Sequence, residues 1–427
     1  MTLADTLFVG RLGASALAGV SLGGVFVFTL LCFGFGLLRS VKVLVSQAVG
    51  AQQDHRVAGF VGAGLVIAVV LGVANIGVGW LGSGLLAHIS SSAEAAVQTE
   101  VYVKVRVLGA PLALAAVALR EARYGTGDTK TPMRAALVAN LVNIVLDYGF
   151  ICGLGWGVAG AAWGSVAAHC IDFAWLARAQ GRATMGLGRR AWKSVGAVWR
   201  LGVPIGLQMV LEVSAFAVLT AIFSAMSEVD VASHQIALVA VHFSFLPALA
   251  LGEAASVMAG QAIGARHGEL VAVVARRALW AALAYTGLCG VVFAAAARPI
   301  ATAFTDDPAI IETTTNLLYV AAAFQLFDGA SIVARCVLRG TGDVRFAAVV
   351  SVVLAWVTTP PLAMALGFGL GMGAVGGWVG LSVEIMLSAA VLWWRLERGG
   401  WQSAARKTRE QFDAPPPSSG RLQPATS

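Results

Sequence analysis

The feature that most narrows the possible folds is a succession of apolar stretches, each long enough to cross a bilayer. A helix rises 1.5 Å per residue, so about 20 mostly apolar residues span the hydrocarbon. Such stretches fall at 16–40, 57–80, 95–120, 133–153, 158–180, 199–224, 233–258, 270–296, 312–338, 346–367 and 375–396, with a stub at 1–9. Short segments rich in Gly, Ser, Asp and Pro separate them, as turns require. Backbone in hydrocarbon must satisfy its own hydrogen bonds, so these runs predict twelve helices in an all-α polytopic membrane protein, the first helix truncated. Composition agrees. The chain is 58% hydrophobic and 12% charged, about half the charge that covers an ordinary soluble protein.

The termini differ in kind. Residues 1–9 supply less than half a span, so the expectation is a start lying further upstream or a chain that is a fragment. From Glu397 the sequence turns polar and runs through Ala414-Pro-Pro-Pro-Ser-Ser-Gly420. The composition of 397–427 predicts a disordered tail. The five cysteines include no CxxC pair and sit in apolar context, as packing residues do.

Basic residues sort by face. Nearly all of the 29 Lys and Arg lie on the side of Arg56, Lys130, Arg190 and Arg266. The other side keeps Arg11, Lys104, Arg106 and Arg298. Lys and Arg mark the cytoplasmic side of a membrane protein. The reading is a multi-pass protein of the cell inner (cytoplasmic) membrane with its C-terminus cytoplasmic. No basic stripe interleaved with aromatics is present, so nucleic acid is not an expected partner.

The two halves repeat. Ser46-Gln-Ala-Val-Gly-Ala51 returns as Gly260-Gln-Ala-Ile-Gly-Ala265, Arg123-Tyr-Gly-Thr-Gly-Asp128 as Arg339-Gly-Thr-Gly-Asp343, and Gly155-Trp-Gly-Val-Ala-Gly160 as Gly371-Met-Gly-Ala-Val-Gly376, at shifts of 214, 215 and 216. A repeat of six helices enters the membrane in one direction twice. The lobes are then related by a pseudo-twofold along the membrane normal, with substrate sites commonly at their interface. The expected division is an N-terminal lobe at 1–180, a cytoplasmic linker at 181–198, a C-terminal lobe at 199–396 and the tail.

These motifs, with Asp5-Thr-Leu-Phe-Val-Gly-Arg-Leu-Gly13, Gly125-Thr-Gly-Asp-Thr-Lys-Thr-Pro132, Asn143-Ile-Val-Leu-Asp147, Gly202-Val-Pro204 ahead of Glu212, His234-Gln-Ile236, and Asp328 ahead of Leu338-Arg-Gly-Thr-Gly-Asp343, resemble the multidrug and toxic compound extrusion (MATE) family, above all its DinF-like branch. The resemblance covers nearly the whole chain. It implies a monomeric antiporter, with no enzyme activity and no cofactor, that exports amphipathic, often cationic organic compounds against inward H⁺ or Na⁺. It also implies that Asp5 and Asp147 form an N-lobe cation site and that Glu212 and Asp328 bind cation or substrate in the C-lobe.

The residues support such roles independently. A carboxylate within a span costs at least about 2.5–3.5 kcal/mol and marks function by default. Asn143 and Asp147 stand i, i+4 on one helix face. A carboxamide beside two carboxylates suits Na⁺, and close carboxylates raise one another's affinity for a proton. The bland alternative is a hydrogen bond to a neighbouring helix, or, for Glu212, one to Gln208, Ser214 or Gln325. The repeat aligns Arg39 with Glu253, eight residues before each Gln-Ala motif, which predicts an inter-lobe ion pair closing the cytoplasmic gate. Asp172 and Glu384 are expected to pair locally, near Arg178 and Arg395. Trp156, Trp163, Trp378, Trp393 and Trp394 read as interfacial anchors. The Gly-Thr-Gly-Asp segments lack the spacing of a phosphate-binding loop and read as tight turns. A flippase for a lipid-linked headgroup stays open as an alternative, though it calls for a more basic cavity. A membrane-embedded enzyme would need clustered His or Cys ligands or a nucleophile with its base, which the sequence lacks.

Overall fold

The computed structural model describes residues 2–86, 90, 92–181, 184–186 and 188–413. Its helices are α1 (Thr2–Val9), α2 (Ala14–Gly50), α3 (Asp54–Leu86), α4 (Ala93–Arg106), α5 (Ala110–Gly125), α6 (Lys130–Asp147), α7 (Gly157–Gln180), α8 (Arg189–Met226), α9 (Glu228–Gly264), α10 (Glu269–Thr302), α11 (Pro308–Gly340), α12 (Val344–Leu362), α13 (Gly373–Glu397) and α14 (Gln402–Asp413). A 3₁₀ turn at Val107–Gly109, just before Pro111, joins α4 to α5 as one crossing. Ten crossings among the described residues are long and apolar enough to span a membrane. The 24-residue α7 and the short α1 complete the expected twelve.

The bundle is apolar outside as well as inside. Leu81, Leu85, Phe243, Trp280 and Leu288 are each more than 60% exposed. A surface of this kind is stable against lipid and not against water. Trp378 departs from the expected boundary role. It is buried, and its indole N–H donates to His234 Nδ1 at 3.1 Å.

Two boundaries of the sequence reading are corrected. The linker expected at 181–198 is shorter, because α8 begins at Arg189 and Val198 is already buried. Residues 182, 183 and 187 lie outside the described residues. Within the tail expected to be disordered, 397–427, residues 402–413 instead form α14. Trp401, just ahead of it, and Ala405 and Thr408 along it are buried at a spacing that puts one helix face on the C-terminal lobe. The Pro-rich residues 414–427 lie outside the described residues.

The duplication is visible in the backbone. Gln52 (φ 56°) matches Arg266 (φ 65°), Gly127 (87°) matches Gly342 (93°), and Gly155 (67°) matches Gly371 (68°). Wide π turns follow α6 at Tyr148–Gly153 and α12 at Ala363–Gly369. The lobes meet at the basic end of the bundle, where α2 crosses α8 and α9. Contacts there are reciprocal. Gln47 Nε2 donates to the Gly340 carbonyl at 3.0 Å, and its counterpart Gln261 donates to the Gly125 carbonyl at 3.5 Å. A Cβ on Gly50 would stand 2.1 Å from the Gln261 carbonyl oxygen, and one on Gly264 would stand 2.0 Å from that of Gln47. A twofold axis generates contacts of this paired form. Helices α2 and α9, at 37 residues each, run about 55 Å. They therefore reach past the hydrocarbon into this interface.

Candidate functional site

Three polar clusters stand out in the apolar bundle. The first lies within the N-terminal lobe. Asp5 of α1, Asn143 and Asp147 of α6 and Ser165 of α7 are all buried, none more than 1% exposed. Asn143 Nδ2 lies 3.4 Å from Asp5 Oδ1 and 3.2 Å from Asp147 Oδ1, and the Ser165 hydroxyl donates to Asp5 Oδ2 at 3.0 Å. Asn143 and Asp147 share a face because they are one helical turn apart. Gly164 of α7 makes room, since a Cβ there would fall 2.2 Å from Asp147 Oδ1. Asp147 Oδ2 and Asn143 Oδ1 have no hydrogen-bond partner among the described residues. Buried oxygens left this way are costly. The four side chains make a hard-oxygen set able to hold a proton between carboxylates or a small cation.

The second cluster lies where the lobes meet. Arg39 Nη1 stands 3.4 Å from Glu253 Oε1. Lys42, one turn along α2, also binds Glu253 and reaches Glu121 Oε2 of α5 at 3.2 Å. Arg39 and Glu253 are equivalent in the repeat, and equivalent residues touch only beside the axis. Lys42 and Glu121 were missed in the sequence because Lys42 looked like one more basic residue at a helix end. Its position at i+3 from Arg39 was the available signal.

The third cluster lines a cavity of about 380 Å³ in the C-terminal lobe. Glu212, Asp328, Arg335, Glu384 and His242 project into a wall of Phe216, Phe324, Leu381 and other apolar side chains. Gln208 Nε2 donates to Glu212 Oε1 at 2.8 Å, and Arg335 Nη1 donates to the same oxygen at 3.0 Å. Asp328 and Glu384 make no hydrogen bond or ion pair among the described residues. Glu384 is thus a cavity residue and not a partner of Arg395, which instead pairs with Asp343 at 3.0 Å. Arg395 lies eleven residues along the same helix, about 16 Å away along the axis. Asp172 likewise pairs with Arg120 at 2.6 Å rather than with Arg178. Six residues along a helix turn a side chain through 600°, onto another face.

The Gly-Thr-Gly-Asp segments are turns. The Asp128 N–H donates to the Arg123 carbonyl at 3.0 Å, and the equivalent Asp343 N–H donates to Leu338 at 3.0 Å. Burial pushes the Asp128 carboxyl upward, but hydrogen bonds from Thr131 and the nearby Arg123 outweigh it and hold the group below its usual range. Asp128 accepts the Thr131 N–H at 3.0 Å, as a residue opening α6 should.

Comparison with known proteins follows this geometry. The MatE family model matches residues 1–149 and 204–365, one stretch in each half. The chain is 29% identical over 416 residues to the "Probable multidrug resistance protein NorM" of Bradyrhizobium diazoefficiens, covering 92% of this chain and 88% of the relative. It is 32% identical over 408 residues to that of Deinococcus radiodurans, covering 92% and 89%. Its fold superposes on the crystal structure of the eukaryotic MATE transporter AtDTX14 with a TM-score of 0.86 at 18% identity, over 96% of this chain and 94% of that one. It also superposes on a multidrug resistance MATE family transporter in an outward-facing conformation, at 0.86 and 21% identity, over 94% and 91%.

Proposed function

This chain belongs to the MatE family of multidrug efflux transporters, and from that premise we propose that it is an antiporter exporting amphipathic organic cations in exchange for H⁺ or Na⁺. The observation that carries the coupling is the buried Asp5–Asn143–Asp147–Ser165 set. Two carboxylates this close and this far from water favour taking up positive charge, and uptake alters the packing of α1, α6 and α7. The basic end of the bundle is the cytoplasmic end by the distribution of Lys and Arg. The lobes are in contact at that end, and Arg39, Lys42 and Glu253 bridge them there. Parting this bridge would open the cytoplasmic side, and re-forming it would open the other. In this reading Arg39 and Glu253, with Lys42, are the cytoplasmic gate of an alternating-access cycle.

Glu212 and Asp328 belong to the substrate side of the mechanism. The cavity that they line is mostly apolar and carries three carboxylates to one guanidinium. Such a cavity suits a planar organic cation and disfavours the anionic headgroup of a lipid-linked substrate. The test is dye efflux from proteoliposomes under an imposed gradient of H⁺ or of Na⁺. One of the two gradients should drive efflux, and Asp147→Asn should abolish the response to it. Indifference to both gradients sinks the antiport reading.

A further inference from the structure

The two lobes handle one equivalent arginine differently. A shift of 215 places Arg120 of α5 on Arg335 of α11, and a shift of 216 places Asp172 of α7 on Ser388 of α13. In the N-terminal lobe the pair is closed, with Arg120 Nη2 at 2.6 Å from Asp172 Oδ2. In the C-terminal lobe the carboxylate has no counterpart. Ser331 donates to Ser388 at 3.3 Å, and Arg335 reaches Ser331 only at 3.5 Å. Its guanidinium turns instead to α8, where Nη1 meets Glu212 at 3.0 Å. The Arg335 Nε stays buried without a hydrogen-bond partner among the described residues.

Two of the cavity acids, Asp328 and Glu384, have no equivalents either. The same shifts set Ala113 against Asp328 and Ala168 against Glu384. Glu212 is doubly supplied, by Arg335 and by Gln208, whose own oxygen accepts from Arg339 Nη2 at 2.9 Å. A cation entering the cavity therefore meets one carboxylate already neutralised by the protein and two that are not.

We propose that Arg335 is a tethered cation that sets the selectivity of this cavity: it claims Glu212, repels a second positive charge, and directs the substrate's positive group to Asp328 and Glu384. The inference rests on the reading that the chain exports organic cations. Arg335 is a specificity-determining residue here because it competes with the substrate for a carboxylate. The arrangement favours monocations over dications, because a second positive centre in the cavity must lie near the guanidinium.

The test is equilibrium binding to the full-length chain in nanodiscs with no gradient, using ethidium as a monocation and propidium as a dication. Wild type should bind ethidium more tightly than propidium. Arg335→Gln should tighten propidium by about ten-fold or more, equivalent to ~1.4 kcal/mol, and ethidium by less. Ser388→Asp recreates the N-terminal pair and keeps every cavity charge, so it should shift binding in the same direction even where Arg335→Gln fails to fold. Arg335→Lys should keep the wild-type preference, and Glu384→Gln should weaken both dyes. Unchanged or weaker propidium binding in folded Ser388→Asp, with wild-type ethidium binding intact, overturns the inference while leaving the export reading standing. A wild-type chain that binds neither dye removes the export reading, and this inference with it.

Discussion

Gly50→Ala and Gly264→Ala should force the lobes apart at the basic end without disturbing either lobe internally. The nearest atoms to a Cβ at Gly50 belong to Gln261 of the other lobe, at 2.1 Å from its carbonyl oxygen. At Gly264 the nearest is the Gln47 carbonyl oxygen, at 2.0 Å. Ordinary contact begins near 3.4 Å, so backbone must retreat by more than an ångström in either variant. Both atoms are main-chain carbonyls within helices, and no rotamer change relieves the clash. Overpacking of this kind costs about 1–3 kcal/mol. The cost falls on the state in which the lobes touch, so the ratio of parted to closed states should rise about 5- to 150-fold. The Gln47–Gly340 and Gln261–Gly125 hydrogen bonds should be lost with it. Hydrogen–deuterium exchange in nanodiscs reads this directly. Amides of residues 43–53 and 257–267 should exchange faster in both variants, while those of α6 and α7 keep wild-type rates. The two variants should behave alike because their sites are related by the repeat. The double variant should cost less than the sum, since one separation relieves both clashes. Wild-type exchange at the interface, or faster exchange confined to one lobe, would refute the reasoning.

Further expectations concern single side chains. Gly164→Ala should displace the Asp147 carboxylate, whose Oδ1 stands 2.2 Å from the new Cβ; ion-driven efflux should fall at least ten-fold in proteoliposomes while the helical circular dichroism is kept. Lys42→Met removes the cation shared by Glu121 and Glu253 and leaves the buried Glu121 carboxylate uncompensated, while Glu253 keeps Arg39; a loss of roughly 3 kcal/mol should appear in thermal unfolding, and adding Glu121→Gln should recover part of it. Charge exchange, Arg39→Glu with Glu253→Arg, should restore more transport than either single reversal, and failure to do so removes the pair from the gate. Trp401→Ala deletes a buried indole whose N–H donates to the Leu396 carbonyl at 3.1 Å; α14 should become cleavable by limited proteolysis, while the dye-binding affinity of the cavity stays at its wild-type value.

Much of the geometry of the candidate site was legible in the sequence, for identifiable reasons. Asp5, Asn143 and Asp147 could be singled out because a carboxylate in an apolar span is expensive, and the i, i+4 spacing placed two of the three on one face. Arg39 and Glu253 could be paired from the repeat alone because residues on a twofold axis meet their own equivalents. Glu384 and Asp172 were assigned the wrong neighbours, since closeness along a helix was taken for closeness in space. Arg335 was hidden by its place near the basic end, where an arginine looks like a topology signal. The tail was misread because its polarity outweighed Trp401, Ala405 and Thr408, which fit one helical face only once a docking surface exists.

The sequence by itself determined the class, the succession of apolar helices, the duplication and the identity of most of the buried acids. All of these follow from the cost of polar groups in hydrocarbon and from periodic pattern, which are properties of the chain read locally. The tertiary structure alone decided which charge answers which. Arg120 closes on Asp172, while its equivalent Arg335 turns to Glu212, because helix rotation and the neighbour across the bundle set the distances. Those distances make one lobe a closed oxygen cluster and the other an open acidic cavity, a difference that the near-identical turns of the two repeats conceal.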